Sequence, residues 1–145
     1  MFKYGLIPSI SNSYYQLRKD HSVWMFVSFM ILQGAGIVLL TMPSSNTYSI
    51  TGLLTGLGLW IVATSPAYKN VNNDPTPITF SHYIGAGLSF ISAHLNMWLY
   101  DQKLLCYISA AILIILMITM FKRKYLMLLA ELDIFIIMYI ALILR

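Results

Sequence analysis

A chain of 145 residues that is 59% hydrophobic and only 10% charged, with a mean hydropathy of +0.74, cannot clothe a water-facing surface, since soluble domains carry about 25% charged residues. Its net charge of +4 falls outside the apolar runs and forms no basic face interleaved with aromatics, which excludes a nucleic-acid footprint. The single cysteine, Cys106, excludes an intramolecular disulfide and any multi-cysteine metal site, and within an apolar run it reads as a small buried hydrophobe.

The chain opens with residues 1–21, an interfacial or cytoplasmic segment carrying Lys3, Arg18, Lys19 and the aromatics Phe2, Tyr4, Tyr14 and Tyr15. Pro8 and Ser9 predict the start of a short helix with Ile10, Tyr14 and Leu17 on one side, lying at the membrane surface with its apolar side down. No small-residue cleavage site follows the first apolar run, so no removable signal peptide is expected.

Residues 22–145 then form one domain of five predicted transmembrane helices, at 22–42, 49–65, 79–100, 104–121 and 125–144. Each is close to the ~20 residues that span a bilayer core. Pro66 closes the second segment, and Pro75 and Pro77 hold the longest connection out of helix. Gly52-Leu-Leu-Thr-Gly56 is a Gly-xxx-Gly pair, a packing surface. Gly34-Ala-Gly36 recurs as Gly85-Ala-Gly87 in two segments running the same way. Seven Lys/Arg fall on one side of five spans (Lys3, Arg18, Lys19, Lys69, Lys122, Arg123, Lys124) and two, Lys103 and Arg145, on the other. That asymmetry predicts a cytoplasmic amino terminus and an outer carboxyl terminus. Trp24, Tyr68, Tyr83 and Tyr125 then fall near the inner interface, with Tyr48, Trp98, Tyr100 and Tyr107 near the outer one, as aromatic belts.

The third segment is the most informative. At ~100° per residue, Ser81, His82, Gly85, Ala86, Ser89, Ser92, Ala93 and Asn96 share one face about 140° wide. Small and polar groups on one side of an apolar helix allow close approach to a neighbour. They also supply a face for binding or proton handling. His94 lies off that face. Counting ~1.5 Å per residue from the inner end puts Gln33, Ser89 and Asp133 at one level near the midplane. His94, Thr55 and Tyr139 form a second, outer level, while His82 lies shallow.

The last segment carries two acids, Glu131 and Asp133, ~200° apart. Asp133 shares its side with Ala130, Ile137 and Ala141 and needs a partner inside the bundle, or must remain a neutral acid. Glu131, among Phe135, Met138 and Leu142, is expected to be peripheral and to reach toward the basic 122–124 loop. The binding residues expected are therefore His82, Ser89, Asn96, Gln33 and Asp133, with His94, Thr55, Tyr139 and Glu131 in support. No metal site is expected, because His82 and His94 stand ~18 Å apart along one helix. No cofactor or catalytic fingerprint occurs.

Two short motifs, Pro8-Ser9-Ile10-Ser11 ahead of a membrane helix and a helix opening His82-x-x-Gly85-Ala86 with Phe90 following, resemble the DRAM-like group of small bacterial integral membrane proteins. In that group the Ile-Ser element follows the first of six helices, so this chain is similar to helices 2–6. The resemblance implies a membrane protein and supplies no catalytic residues. The expected function is a non-enzymatic module of a bacterial-type inner membrane that binds a lipid, small solute or proton along the third segment. The alternative is a structural subunit whose small-residue stripes meet a membrane partner or a second copy. A third is a lipid-modifying hydrolase using His82 with an acid of the last segment.

Overall fold

The computed structural model describes residues 9–42, 46–65, 77–99, 102–120 and 125–144, with the backbone alone at 46–49 and at 120. The described residues form an all-helical bundle: α1 (Ser13–Lys19), α2 (Val23–Thr41), α3 (Asn46–Thr64), α4 (Pro77–Leu99), α5 (Lys103–Met120) and α6 (Leu126–Ile143). The basic residues Lys3, Lys69, Lys122, Arg123, Lys124 and Arg145 lie outside the described residues, as do Phe2, Tyr4, Pro8, Pro66, Tyr68, Pro75 and Tyr100 and the side chain of Tyr48.

Two helices, Val23–Thr41 and Leu126–Ile143, are long and apolar enough to cross a membrane by length and composition; Ile50–Thr64 and Lys103–Thr119 are apolar but shorter. The polar groups of α3 and α4 lower their mean hydropathy, yet those groups point inward: Thr51, Thr55, His82, Ser89, Ser92 and Asn96 are all buried. The outward faces of the five long helices are apolar. Leu32, Leu53, Ile91, Ile118 and Ile143 are exposed, the last two at 77% and 79%.

The short α1 ends in a Schellman turn, with Ser22 N–H donating to the Leu17 carbonyl (2.9 Å) and His21 N–H to that of Arg18 (3.3 Å). His21 takes the left-handed position usually given to glycine, at φ 55°. Ile10, Tyr14 and Leu17 pack on the core, Tyr14 standing edge-on to Phe26 at 6.1 Å. The expected one-sided pattern is real, but its apolar side is laid on the bundle. Ser9 and Ser11 go further and are buried.

The core of the bundle is a trio, α2–α3–α4, in which α3 is the middle helix. Glycines bring the backbones together on both of its sides. A Cβ on Gly56 would sit 2.8 Å from the Gly34 carbonyl oxygen of α2, and one on Gly58 would sit 2.5 Å from that of Gly85 on α4. Real Cβ atoms do not approach so closely, so only glycine fits these crossings. The repeated Gly-Ala-Gly thus has one physical role in both places: its first glycine meets α3. The second glycines do not take part: among the described residues a Cβ on Gly36 would be near only the Tyr139 hydroxyl, at 3.7 Å, and one on Gly87 would meet nothing within 4 Å.

The hairpin α5–α6 leans on this trio with bulkier side chains. Phe135 stands edge-on to Phe29 of α2 at 5.9 Å, and a groove of about 400 Å³ runs open between α2 and α6. At the end of the bundle where α4 gives way to α5, Trp98 and Tyr107 stack edge to face (5.4 Å), with Lys103 5.9 Å over the Trp98 ring.

Candidate functional site

The polar face of α4 is used up against α3. Asn96 donates to Thr51 Oγ1 (2.8 Å), Ser92 and Thr55 share a hydrogen bond (2.9 Å), and Ser89 donates to the Thr55 carbonyl (3.0 Å). At the end of the seam, His82 Nδ1 donates to the Ser65 carbonyl at 3.0 Å. The carbonyl has only lone pairs, so the proton sits on Nδ1. This ladder runs the length of the helix and leaves its hydroxyls facing protein. Buried polar groups cost free energy unless paired, and here they are paired.

The expected midplane cluster of Gln33, Ser89 and Asp133 does not form. Equal depth on three helices does not give equal direction, and each group turns to a different neighbour. Gln33 accepts a hydrogen bond from Tyr139, Ser89 faces α3, and Asp133 accepts from Ser109 Oγ at 2.6 Å. Thr55 and Tyr139, expected beside His94, likewise serve the α3 seam and Gln33.

Glu131 is the clearest correction. Its carboxylate accepts from the Ile10 backbone N–H and from Ser11 Oγ (3.2 Å), so it holds the amino-terminal turn across 121 positions of sequence. It is only partly exposed, and it faces inward. Neither acid of α6 contacts His82, so the pairing that a hydrolase reading needs is absent among the described residues.

Beside Glu131 the hairpin and the trio fail to close, leaving a cavity of about 190 Å³. Its walls come from α2 (Met30, Ile37), α3 (Leu59), α4 (Phe90, Ala93) and α6 (Met138), and Ser11 with Glu131 forms its one strongly polar edge. The hydroxyls of Thr55 and Ser89 that border it are already spent in the seam. An apolar cavity of ~150 Å³ can admit benzene, so this one has room for a ring or a stretch of acyl chain.

On the far side of Phe90 sits a second polar group that the sequence did not reveal as one. His94 Nδ1 donates to the Phe90 carbonyl (2.9 Å), and its Nε2 lies 3.1 Å from Ser109 Oγ, which in turn donates to Asp133. The Phe90 ring stacks on the imidazole at 4.5 Å, and the Cys106 thiol donates to the His94 carbonyl at 3.8 Å. Ser109 is fully buried and Asp133 8% exposed. Ser109 was missed as a lone serine in an aliphatic run, although it is the hydroxyl of α5 that lies at depth. The trio of residue types is that of a serine hydrolase, but the order is wrong for one. The acid binds the serine and not Nδ1, and the hydroxyl has no exposed surface from which to attack. Among the described residues no three His, Cys, Asp or Glu side chains come together as a metal would require.

A comparison with known protein families, with curated proteins and with solved structures finds no match to this chain.

Proposed function

We propose that this is a five-span integral protein of a plasma (inner) membrane that binds an apolar or amphipathic molecule of the bilayer, such as a lipid acyl chain, in the cavity walled by α2, α3, α4 and α6. The observation that carries the reading is that cavity: apolar on its walls, with a carboxylate and a serine at one edge. A ligand with an apolar body and a donor group at one end matches it chemically. The apolar outward faces of all five long helices support lipid as their surroundings, because a soluble chain does not leave so large a contiguous apolar surface bare. The two most apolar helices suffice by mean hydropathy; α3, α4 and α5 join them in this reading because most of their polar groups are paired inside, while exposed Thr64 and Thr119 bond back to their own helices. The seven-to-two distribution of Lys and Arg sets the amino terminus inside.

The binding test uses the purified full chain in lipid nanodiscs with a photoactivatable fatty acid as probe. Labelling is expected on α6 and α4 and is expected to fall at least tenfold in Ala130→Leu, which fills the cavity from the α6 wall. Labelling that Ala130→Leu leaves unchanged would sink the cavity as the binding site. The topology test is a pair of reporters: one after Lys124 reads cytoplasmic and one after Arg145 reads external. Both on one side would exclude five spans.

A further inference from the structure

We infer that His94, Ser109 and Asp133 form an intramembrane site that binds one proton, held between an imidazole and a carboxylate through a serine hydroxyl. The argument is a count of hydrogens. Nδ1 of His94 must carry a proton, because it faces the Phe90 carbonyl at 2.9 Å. That leaves two contacts at hydrogen-bond distance, His94 Nε2 to Ser109 Oγ (3.1 Å) and Ser109 Oγ to Asp133 Oδ2 (2.6 Å). Each contact needs a hydrogen, and Ser109 owns one. With Asp133 ionised and His94 neutral, one contact would set two lone-pair atoms face to face, so the second hydrogen is a titratable proton taken up by the group.

It has two resting places. In one, Asp133 is a neutral acid donating to Ser109, and Ser109 donates to Nε2 of a neutral imidazole. In the other, the proton of Asp133 has passed to Ser109 as the hydroxyl proton of Ser109 passed to His94, leaving a carboxylate and an imidazolium. The two forms have the same atoms and no net charge, which suits an interior from which unpaired charge is excluded. Removing the proton leaves a lone buried carboxylate with Asp133 only 8% exposed and Ser109 fully buried.

The remaining titratable groups of the packed elements face elsewhere. On α4, His82 is on the Ser65 carbonyl and Tyr83 is exposed. On α5, Cys106 points its thiol at the His94 carbonyl, Tyr107 is against Trp98 and Lys103 lies over that ring. On α6, Glu131 holds the amino-terminal turn, Tyr139 holds Gln33 and Tyr125 precedes the first residue of the helix. The site is independent of what fills the cavity, since Phe90 separates them.

The test is a pH titration of the full chain in nanodiscs with ¹⁵N-labelled histidine. It follows the His94 ring nitrogens together with the Asp133 carboxyl vibration, which Asp133→Asn identifies by its loss. One proton per chain should be released, with both signals moving at a single shared midpoint, as coupled groups do. In Ser109→Ala the two signals should separate into two midpoints. Asp133→Asn should stay folded with His94 neutral throughout, because the amide supplies its own hydrogen. Different midpoints in the wild-type chain, a shared midpoint that survives Ser109→Ala, or the absence of any titration at His94 and Asp133 would each overturn the site. Should Ser109→Ala not fold, the wild-type midpoints decide alone.

Discussion

Two regions of this bundle are held together by different physics. In the trio α2–α3–α4, backbone meets backbone at Gly34–Gly56 and Gly58–Gly85, and short hydroxyls bridge the remaining gaps. In the α5–α6 hairpin there is no glycine at all. It is joined to the rest by long side chains, and each polar residue of α6 grips a different neighbour: Glu131 the amino-terminal turn, Asp133 the serine of α5, Tyr139 the glutamine of α2. In the proposed membrane setting, lipid gives helices no hydrophobic reason to associate, so cohesion has to come from close packing or from hydrogen bonds. The trio uses both, and the hairpin, with no glycine, relies on the second. Where helices meet through such side-chain bonds without close backbone approach, the cavity beside Glu131 and the open groove between α2 and α6 remain.

The strongest test of that difference is to insert volume into the trio. Gly58→Leu or Gly85→Leu must push α3 and α4 apart, since even a Cβ on Gly85 would lie 2.8 Å from the Gly58 carbonyl oxygen. Overpacking costs about 1–3 kcal/mol and occasionally more, with these backbone crossings at the upper end, and Gly56→Leu should do the same to α2 and α3. Thermal unfolding in detergent measures it. Wild-type melting of all three variants would mean that the trio is not closely packed.

What the sequence made legible follows the same division. The trio could be read because its signals are local: Gly52-Leu-Leu-Thr-Gly56 and the small stripe of α4 each lie on one helix, and periodicity finds them. The helix limits were likewise within three residues of those observed, as 49–65 against Asn46–Thr64 shows, because apolar runs between prolines and charges define them. In the hairpin the helices and the interior place of Asp133 could be read, but the hairpin's partners could not. Its contacts join residues such as Ile10 and Glu131, 121 positions apart, and counting depth along a helix gives height without azimuth. That is why Gln33, Ser89 and Asp133 were expected together and stand apart.

The next effect in size belongs to the amino-terminal turn. Glu131→Leu removes the acceptor for the Ile10 N–H and the Ser11 hydroxyl, leaving partly buried donors unpaired at about 1–3 kcal/mol. The turn and α1 should come away, seen as faster amide exchange over residues 9–19. Glu131→Gln keeps a side-chain oxygen there and should stay protected. Equal exchange in Glu131→Leu and the wild-type chain would show that α1 is held by its apolar contacts, such as Tyr14 on Phe26.

A smaller loss is expected where the hairpin meets α2. Tyr139→Phe deletes one hydrogen bond, that to Gln33, and should cost about 1 kcal/mol without moving the trio. A double variant with Gln33→Leu should cost no more than the larger single change, because both remove the same bond. Additive losses would show that the two residues act through different partners.

The smallest effect should come from Gly87, and its sign separates the two leading readings of the chain. On α4, Gly85 sits at the α3 crossing, while a Cβ added to Gly87, two residues on, would meet nothing within 4 Å among the described residues. Adding a methyl group at Gly85 meets a backbone; adding one at Gly87 meets only what surrounds the bundle. If that is lipid, Gly87→Ala should be neutral or stabilising by about 0.5–1 kcal/mol, since glycine weakens a helix interior relative to alanine. A second copy or a membrane partner seated on this face, at the one small residue among exposed Tyr83, Ile84 and Ile91, would reverse the sign, because the approach that glycine permits would then be blocked. The measurement is melting of Gly87→Ala beside Gly85→Ala, together with the size of each in detergent at two concentrations. A loss at Gly87 matching that at Gly85, accompanied by dissociation, would make α4 an interface and the chain a structural subunit. A rise at Gly87 with a fall at Gly85 leaves α4 bound on one side to α3 and open on the other to the bilayer, as the binding reading requires.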